Sequence, residues 1–354
     1  HQITLRLDPA AHDEEIDEQH RGACDQQQVQ GEEDVDERLQ GPARPTVAHG
    51  DRPSGRDRDH GDERQDPQAR EQGVAGPLGT LLHRVKRTPV EERLLRPAVM
   101  GIVNVTPDSF SDGGAYLDPD VAAAAARRMI EAGAAIVDVG GESTRPGSER
   151  VSLDEELRRV LPVLERLEGL PISIDTAKGE VARRAVALGA ELVNDVTALR
   201  GDPELAGAVA DGNAYLCLMH MQGEPRTMQA DPRYADVVSE VAAFLEERLA
   251  VAVSAGIPEN HVCLDPGIGF GKTAAQNFEL VRRLDVLLAL GRPVLIGLSR
   301  KSSLGKLFDA EASTGTLAAS LGAAVAAYER GASIFRAHDV REHVEALAAA
   351  GAVA

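Results

Sequence analysis

The sequence predicts a (β/α)8 barrel at residues 89–354, preceded by a polar, disordered segment at residues 1–88. Three observations lead to this prediction. All six Phe and all four Tyr lie beyond residue 100. Short apolar runs recur after about residue 95, and segments rich in Ala, Leu, Glu and Arg with helical periodicity separate them. About eight such βα units in about 260 residues match the size of a TIM barrel.

The N-terminal segment consists mostly of Asp, Glu, Gln, Arg, Gly, Pro and His. Residues 51–70 (DRPSGRDRDHGDERQDPQAR), for example, have low complexity and no hydrophobic period. Such a composition cannot bury enough apolar surface to offset the entropy lost on ordering. We therefore predict a solvated tail without chemistry at residues 1–88.

The remainder of the chain alternates between strands and helices, which favours a parallel sheet. Strands are predicted at residues 98–103, 135–139, 172–174, 192–193, 214–219, 262–264, 294–297 and 333–335. Helices are predicted at residues 119–132, 154–167, 180–188, 235–255, 277–289, 314–330 and 340–349. A doubly wound open sheet is the alternative, but the glycine-rich fingerprint expected in its first βα turn is absent from the sequence.

Composition also narrows the class of partner. A formal net charge of −19 argues against nucleic-acid binding, which needs clustered Lys and Arg. The three cysteines have no CxxC spacing, as expected of a reduced compartment. No apolar run approaches the roughly 20 residues that span a bilayer, and the N-terminus has no apolar signal region. We expect a cytoplasmic protein without membrane or nucleic-acid partners.

Polar residues follow every predicted strand, at the end where TIM barrels carry their active sites. In chain order they are Asn104, residues 142–145, Asp175, Asn194 with Asp195, His220, Asp265, residues 299–302 (SRKS), and Arg336 with His338. Any one of them has an ordinary explanation as a helix cap or a turn residue. Their occurrence around the whole rim indicates a functional site.

The residue types restrict the chemistry of that site. Acceptors for the N–H edge of a guanidine-like heterocycle are Asp175, Asn194 and Asp265. Cationic donors for a phosphate-bearing substrate are Arg145, Lys301, Arg336 and His338. Asn104 offers a neutral oxygen to Mg²⁺, which is usually bound largely through substrate phosphates. No Ser or Cys is paired with a His base, which disfavours a covalent acyl mechanism.

Two long motifs, residues 100–114 (MGIVNVTPDSFSDGG) and 138–147 (DVGGESTRPG), resemble the signature loops of dihydropteroate synthases. Shorter motifs follow in the order and spacing of that family: SIDT at 173–176, ND at 194–195, LMHMQG at 218–223, DPGIGFGK at 265–272, SRK at 299–301 and RAHDV at 336–340. The resemblance covers roughly residues 90–354. Ala337 replaces the usual Val of the last motif, which we expect to affect packing only.

The resemblance implies a folate-pathway transferase that condenses 6-hydroxymethyl-7,8-dihydropterin diphosphate with p-aminobenzoate. It further implies an SN1-like mechanism with Mg²⁺, a homodimer and a sulfonamide target. The implied catalytic residues are Arg145, Lys301 and Asp175.

The resemblance also assigns residues to each ligand. The pterin contacts would be Asp175, Asn194, Asp265 and Lys301, with Met219 and Phe270 beside the ring. The diphosphate and Mg²⁺ contacts would be Asn104, Arg336 and His338. The p-aminobenzoate contacts would be Phe110, Thr144, Arg145, Pro146 and Ser302.

Two other functions share parts of this pattern. A pterin-binding module of the methyltetrahydrofolate methyltransferase type has the same barrel and carboxylates, but it would not need the NVTPDSF and TRPG loops that are intact here. A catalytically inactive barrel paralogue would be expected to have lost several charged rim residues, and none is lost.

Overall fold

The computed structural model describes residues 87–106, 118–309 and 311–354. The predicted disorder of residues 1–86 and the placement of Phe110 therefore lie outside the described residues. Arg87 and Thr88, which we assigned to the tail, contact the barrel. The Arg87 guanidinium lies 5.3 Å from the centroid of the Tyr215 ring, and the Tyr215 hydroxyl donates a 2.9 Å hydrogen bond to the Thr88 carbonyl. The folded part begins no later than Arg87.

Eight parallel strands form the predicted barrel. They are β1 (Ala98–Asn104), β2 (Ile136–Gly140), β3 (Ile172–Asp175), β4 (Leu192–Asp195), β5 (Tyr215–Met219), β6 (Val262–Asp265), β7 (Leu295–Ile296) and β8 (Ile334–Ala337). Their order is β6-β5-β4-β3-β2-β1-β8-β7. A parallel bridge between Leu264 and Val294 joins the two outer strands and closes the barrel.

The helices lie before, between and after the strands. They are α1 (Val90–Arg93), α2 (Pro119–Glu131), α3 (Leu153–Arg166), α4 (Gly179–Ala187), α5 (Leu205–Asp211), α6 (Val237–Ser254), α7 (Ala274–Arg282), α8 (Leu284–Leu288), α9 (Ser302–Gly305), α10 (Leu317–Glu329) and α11 (Val340–Val353). The prediction of one helix at residues 277–289 was wrong, because Arg283 leaves the helical region at φ −109° and ψ 41° and separates α7 from α8. The predicted helices also have no counterpart of α1, α5 or α9. No helix in the described ranges is long and apolar enough to cross a membrane.

Strand alternation divides the apolar residues into two cores. Val137, Val139 and their counterparts on other strands pack between the barrel and the helices. Side chains at the alternate strand positions point into the barrel and pack together where the strands begin, as with Ile136, Met100 and Tyr215. Polar residues therefore occupy the inward positions near the other end.

Helix α1 closes the beginning of the barrel. Val90 and Leu94 are 0% and 1% exposed and belong to the inner core. Arg93 pairs with both carboxylate oxygens of Glu191, at 2.6 and 2.8 Å. Apolar side chains therefore fill the barrel where the strands begin. We call the opposite end, where Asp175, Asp265 and Arg336 lie at the ends of their strands, the mouth.

Candidate active site

Asp138 is the centre of the polar layer inside the barrel. This residue in the middle of β2 is fully buried. It accepts hydrogen bonds from Ser173 Oγ (2.6 Å), Asn194 Nδ2 (3.0 Å) and Arg336 Nε (2.7 Å). Because the amide nitrogen of Asn194 donates to Asp138, its oxygen is the atom that can accept a hydrogen bond from a ligand.

Asp175 lies beside this cluster and also binds the guanidinium group of Arg336. Arg336 Nη2 donates to Asp175 Oδ2 at 2.9 Å, so one guanidinium joins β2 and β3. Burial raises the pKa of Asp175 to about 8, with Arg336 opposing and Asp138 adding to the rise. Burial alone would lower the pKa of Arg336, but the charges of Asp138 and Asp175 raise it overall. Donors from a ligand would stabilise the Asp175 carboxylate in this pocket.

Asp265 and Lys301 face the mouth from β6 and from the loop after β7. Burial raises the pKa of Asp265, whose carboxylate accepts a 2.7 Å hydrogen bond from Gly267 N. Burial lowers the pKa of Lys301 to about 8, against the charge of Asp265. The Lys301 ammonium lies 4.4 Å from the centroid of the Phe270 ring. Phe270 packs against an apolar cluster that includes Met219, as expected for one face of a flat ring site.

Lys272 holds the loop that carries Phe270. Its buried ammonium lies 3.0 Å from the carbonyl oxygens of Gly267 and Phe270 and 2.9 Å from His220 Nδ1. Gly267 has φ +68°, and a Cβ there would lie 1.9 Å from the His220 carbonyl oxygen. The GIGFGK segment is therefore a tight turn packed on the loop after β5.

The loops after β7 and β8 are joined at two points. Arg300 pairs with Asp339 through Nε–Oδ2 (3.0 Å) and Nη2–Oδ1 (2.5 Å). Ser299 Oγ lies 3.1 Å from the backbone nitrogen of His338 and 3.2 Å from its ring Nδ1.

Burial lowers the pKa of His338 to about 3, helped by the charges of Arg336 and Arg300. His338 is therefore a neutral imidazole at physiological pH, and the prediction that it supplies a cation was wrong.

The second signature loop is anchored at its root. Lys178 pairs with Glu142 at the start of the loop and with the buried Glu156 of α3. Burial lowers the pKa of Lys178, but these two carboxylates raise it overall. Farther along, Gly147 N donates a 3.1 Å hydrogen bond to the Pro225 carbonyl. The loop is thus held at its start and near its tip, on either side of Arg145.

Arg145 lies close enough to the mouth to affect its titrating groups. Burial is the main reason that the pKa values of Lys301 and His338 are lowered, and the positive charge of Arg145 lowers both further. Its neighbours Thr144 and Pro146 are respectively half-buried and exposed in the same loop.

The structure brings most of the predicted residues together. Contacts or charge effects connect Asp175, Asn194, Asp265, Lys301, Phe270, Met219, Arg336, His338 and Arg145. Asn104 ends β1 and is half-buried, and Ser302 is the exposed first residue of α9.

Asp195 has a structural role. It accepts hydrogen bonds from Thr197 N (2.8 Å) and Leu199 N (2.5 Å) and fixes its own loop.

Sequence reasoning assigned no ligand to four residues that lie within the family motifs, namely Asp138, Ser173, Lys272 and Ser299. The alternation of side chains along β2 could have identified Asp138, because residues two apart point to the same side of a strand. Asp138 therefore points into the barrel together with Ile136 and Gly140. The contacts of Lys272 and Ser299 depend on loop geometry, for which the sequence offers no local signal.

A magnesium ion would find few protein ligands here. Within the described ranges, no three or more His, Cys, Asp or Glu side chains are grouped to hold a metal. Asn104 remains a suitable neutral oxygen donor. Its side-chain oxygen lies next to Gly140 at the end of β2, where a Cβ added to the glycine would be 3.7 Å away. This donor set fits an ion held mainly by substrate phosphates.

The fold and the buried polar groups at its mouth are typical of a (β/α)8-barrel enzyme. Residues 100–338 match the family of pterin binding enzymes. The dihydropteroate synthase of Escherichia coli K12 is 48% identical over 257 residues, which cover 72% of this chain and 90% of that protein. The chain belongs to the dihydropteroate synthases of this pterin-binding family, which are transferases.

Solved structures give the same result. A Yersinia pestis dihydropteroate synthase with a sulfonamide drug complex has a TM-score of 0.69 and 44% identity, covering 73% of this chain and 95% of that chain. A Xanthomonas albilineans synthase with 4-aminobenzoic acid has a TM-score of 0.67 and 50% identity, covering 73% and 94%. The Xanthomonas enzyme has also been solved with 7,8-dihydropteroate, at a TM-score of 0.64 and 45% identity over 73% and 94%.

Proposed function

We propose that this chain condenses 6-hydroxymethyl-7,8-dihydropterin diphosphate with p-aminobenzoate, giving 7,8-dihydropteroate and diphosphate for folate synthesis. The observation that carries the proposal is the buried cluster of Asp138, Asp175 and Arg336 beside Asn194 and Asp265. Relatives solved with 4-aminobenzoic acid and with 7,8-dihydropteroate support the choice of substrate and product.

The pterin ring would enter the mouth with its amino and ring N–H edge toward Asp175 and Asp265. Asn194 presents an amide oxygen to the same edge, because its nitrogen is bound to Asp138. Lys301 would donate to a ring acceptor, and Met219 and Phe270 would pack near the ring. A guanidine-like edge satisfies these buried acceptors, which an apolar ligand would leave unpaired.

The diphosphate would lie at the rim near Arg336 and His338, with the charge of Arg145 nearby. Asn104 would contribute an oxygen ligand to Mg²⁺. When bound, that ion supplies positive charge to the phosphate oxygens and stabilises the leaving group.

The reaction would begin when the C–O bond between the pterin methylene carbon and the diphosphate breaks and its electron pair departs with the diphosphate. Asp175 and Asp265 stabilise the resulting pterin-methyl cation, while Arg336 and Arg145 stabilise the leaving anion. The arylamine nitrogen of p-aminobenzoate then forms the new C–N bond, and it loses one proton to solvent. Oxidation states do not change, so no redox partner is needed.

The second signature loop would complete the p-aminobenzoate site. Its anchor through Glu142, Lys178 and Glu156 fixes where the loop leaves the barrel. Thr144, Arg145 and Pro146 would close over the arylamine together with Phe110, and Ser302 would meet the carboxylate. Closure would keep water from capturing the cation.

The resemblance to this family also implies a cellular location, an assembly state and a class of inhibitor. We infer cytoplasmic localisation, a homodimer and inhibition by sulfonamides, which would compete with p-aminobenzoate. The sulfonamide drug complex of the Yersinia enzyme supports the last inference.

The test is to incubate the full chain with the pterin diphosphate, p-aminobenzoate and Mg²⁺. Dihydropteroate and diphosphate should form in equal amounts, and leaving out p-aminobenzoate should abolish dihydropteroate. Asp265→Asn should lose most pterin affinity, whereas Asp285→Asn on the exposed part of α8 should not. A folded chain that binds pterin without forming product would favour the inactive paralogue. Methyl transfer from methyltetrahydrofolate would favour the methyltransferase module.

A further inference from the structure

The hydroxyl of Ser299 contacts two nitrogen atoms of His338. The backbone nitrogen lies 3.1 Å from Ser299 Oγ and can only donate. Ring Nδ1 lies 3.2 Å from the same oxygen and can donate or accept. Ser299 is 6% exposed, so water has little access to this group.

The direction of the hydroxyl proton of Ser299 decides whether Nδ1 of His338 donates or accepts in this contact. Ser299 has one proton to donate, and buried hydroxyl protons are nearly always hydrogen-bonded. Among the residues that the structure describes, the only acceptor recorded for this proton is His338 Nδ1. A hydroxyl proton donated to Nδ1 requires that Nδ1 is unprotonated, and the proton of a neutral imidazole then lies on Nε2.

We propose that Ser299 is a positioning residue that fixes His338 as the Nε2–H tautomer, which presents a neutral N–H donor to an oxyanion at the rim. The identity of that oxyanion, the substrate diphosphate, rests on the proposed function. The opposite tautomer would direct a nitrogen lone pair at the phosphate oxygens, and these would repel it.

The surroundings keep this imidazole neutral and in place. Burial and the charges of Arg336 and Arg300 disfavour the imidazolium form, with Asp339 as the opposing charge. The paired contacts between Arg300 and Asp339 join the loop of Ser299 to the loop of His338. This ion pair therefore holds the two loops together next to the contact between Ser299 and His338.

The first measurement is the ring ¹⁵N spectrum of the histidine-labelled full chain at neutral pH, with the signals of His338 assigned through His338→Gln. We expect a protonated Nε2 and an unprotonated Nδ1 in the wild type. Ser299→Ala should give a mixture of tautomers, and Ser299→Thr, which keeps the hydroxyl, should restore the original pattern. A wild-type signal from an Nδ1–H tautomer or from an imidazolium would overturn the proposal.

The second measurement is the affinity for inorganic diphosphate, by calorimetry. Ser299→Ala should weaken it roughly three- to tenfold, the usual effect of one hydrogen bond, while the affinity for a pterin without phosphates stays unchanged. Ser303→Ala is the matched control, because Ser303 is a buried serine in the same segment and its Oγ has no partner among the described residues. Equal diphosphate affinities in Ser299→Ala and Ser303→Ala would also overturn the proposal. Absence of dihydropteroate synthesis by the wild type would instead refute the proposed function and leave the tautomer result unaffected.

Discussion

Replacing Asp138 should separate its structural role from its charge. In Asp138→Asn, the amide oxygen can still accept from Asn194 and Arg336, and the amide nitrogen can donate to Ser173 after its hydroxyl rotates. The loss is the difference between a charged and a neutral hydrogen bond, about 1–2 kcal/mol. Arg336 keeps Asp175 as a partner at 2.9 Å.

Asp138→Ala removes all three acceptor contacts and leaves Asn194 Nδ2 and Arg336 Nε without this partner inside the barrel. Unsatisfied buried donors cost about 1–3 kcal/mol each, so we expect a loss of about 3–5 kcal/mol in the free energy of unfolding. Ser173→Ala, which removes only the neutral donor, should cost about 1 kcal/mol.

Urea unfolding of the three variants and calorimetric titration with a pterin test this order. Pterin affinity should fall most in Asp138→Ala, because both Asn194 and Arg336 lose the contact that orients them. An Asp138→Ala protein within about 0.5 kcal/mol of the wild type would refute the central role of Asp138, since that is the range of ordinary surface substitutions.

Three further predictions concern pH, catalysis and stability. Pterin affinity should rise with pH toward about 8, because Asp175 must lose its proton to accept, and fall above about 8, because Lys301 then loses its charge. Calorimetry across this range should show that Asp175→Asn removes the rise in affinity below pH 8 and that Lys301→Met removes the fall above it. An unchanged pH dependence in both variants would contradict the assignment. Arg145→Ala should lower kcat by orders of magnitude with little change in pterin affinity, and Arg145→Lys should recover part of the rate; a normal kcat in Arg145→Ala would make this arginine a solvated loop residue. Leu94→Ala should cost about 2–5 kcal/mol in urea unfolding because this side chain is 1% exposed, whereas Leu95→Ala, at a position 71% exposed, should be nearly neutral; equal stabilities would show that the closure by α1 contributes nothing.

The strands could be predicted because each is a short apolar run bounded by polar residues. All eight predicted strands overlap those observed, and no end differs by more than two residues. Helix α5 was missed because it has only seven residues and contains Gly207, so its periodic signal is weak. The break at Arg283 was missed because no Gly or Pro marks it.

The candidate site was predictable where a polar residue ends a strand, as with Asp175 and Asp265. Asp138 escaped because it lies inside an apolar run, where its importance comes from partners on three other strands. The neutral state of His338 also depends on tertiary structure, since burial and two arginine charges cause it. Sequence supplies the residue types, but the protonation state depends on neighbours that only the fold brings together.

The central claim is that the barrel mouth around Asp175, Asn194 and Asp265 binds the pterin at which the transfer occurs. The most direct measurement is a crystal structure of the full chain with 7,8-dihydropteroate. We predict pterin nitrogen atoms within about 2.7–3.2 Å of oxygen atoms of these three side chains, with the benzoate directed toward the second signature loop. A dihydropteroate bound outside the mouth, or a pterin edge turned away from all three side chains, would contradict the account.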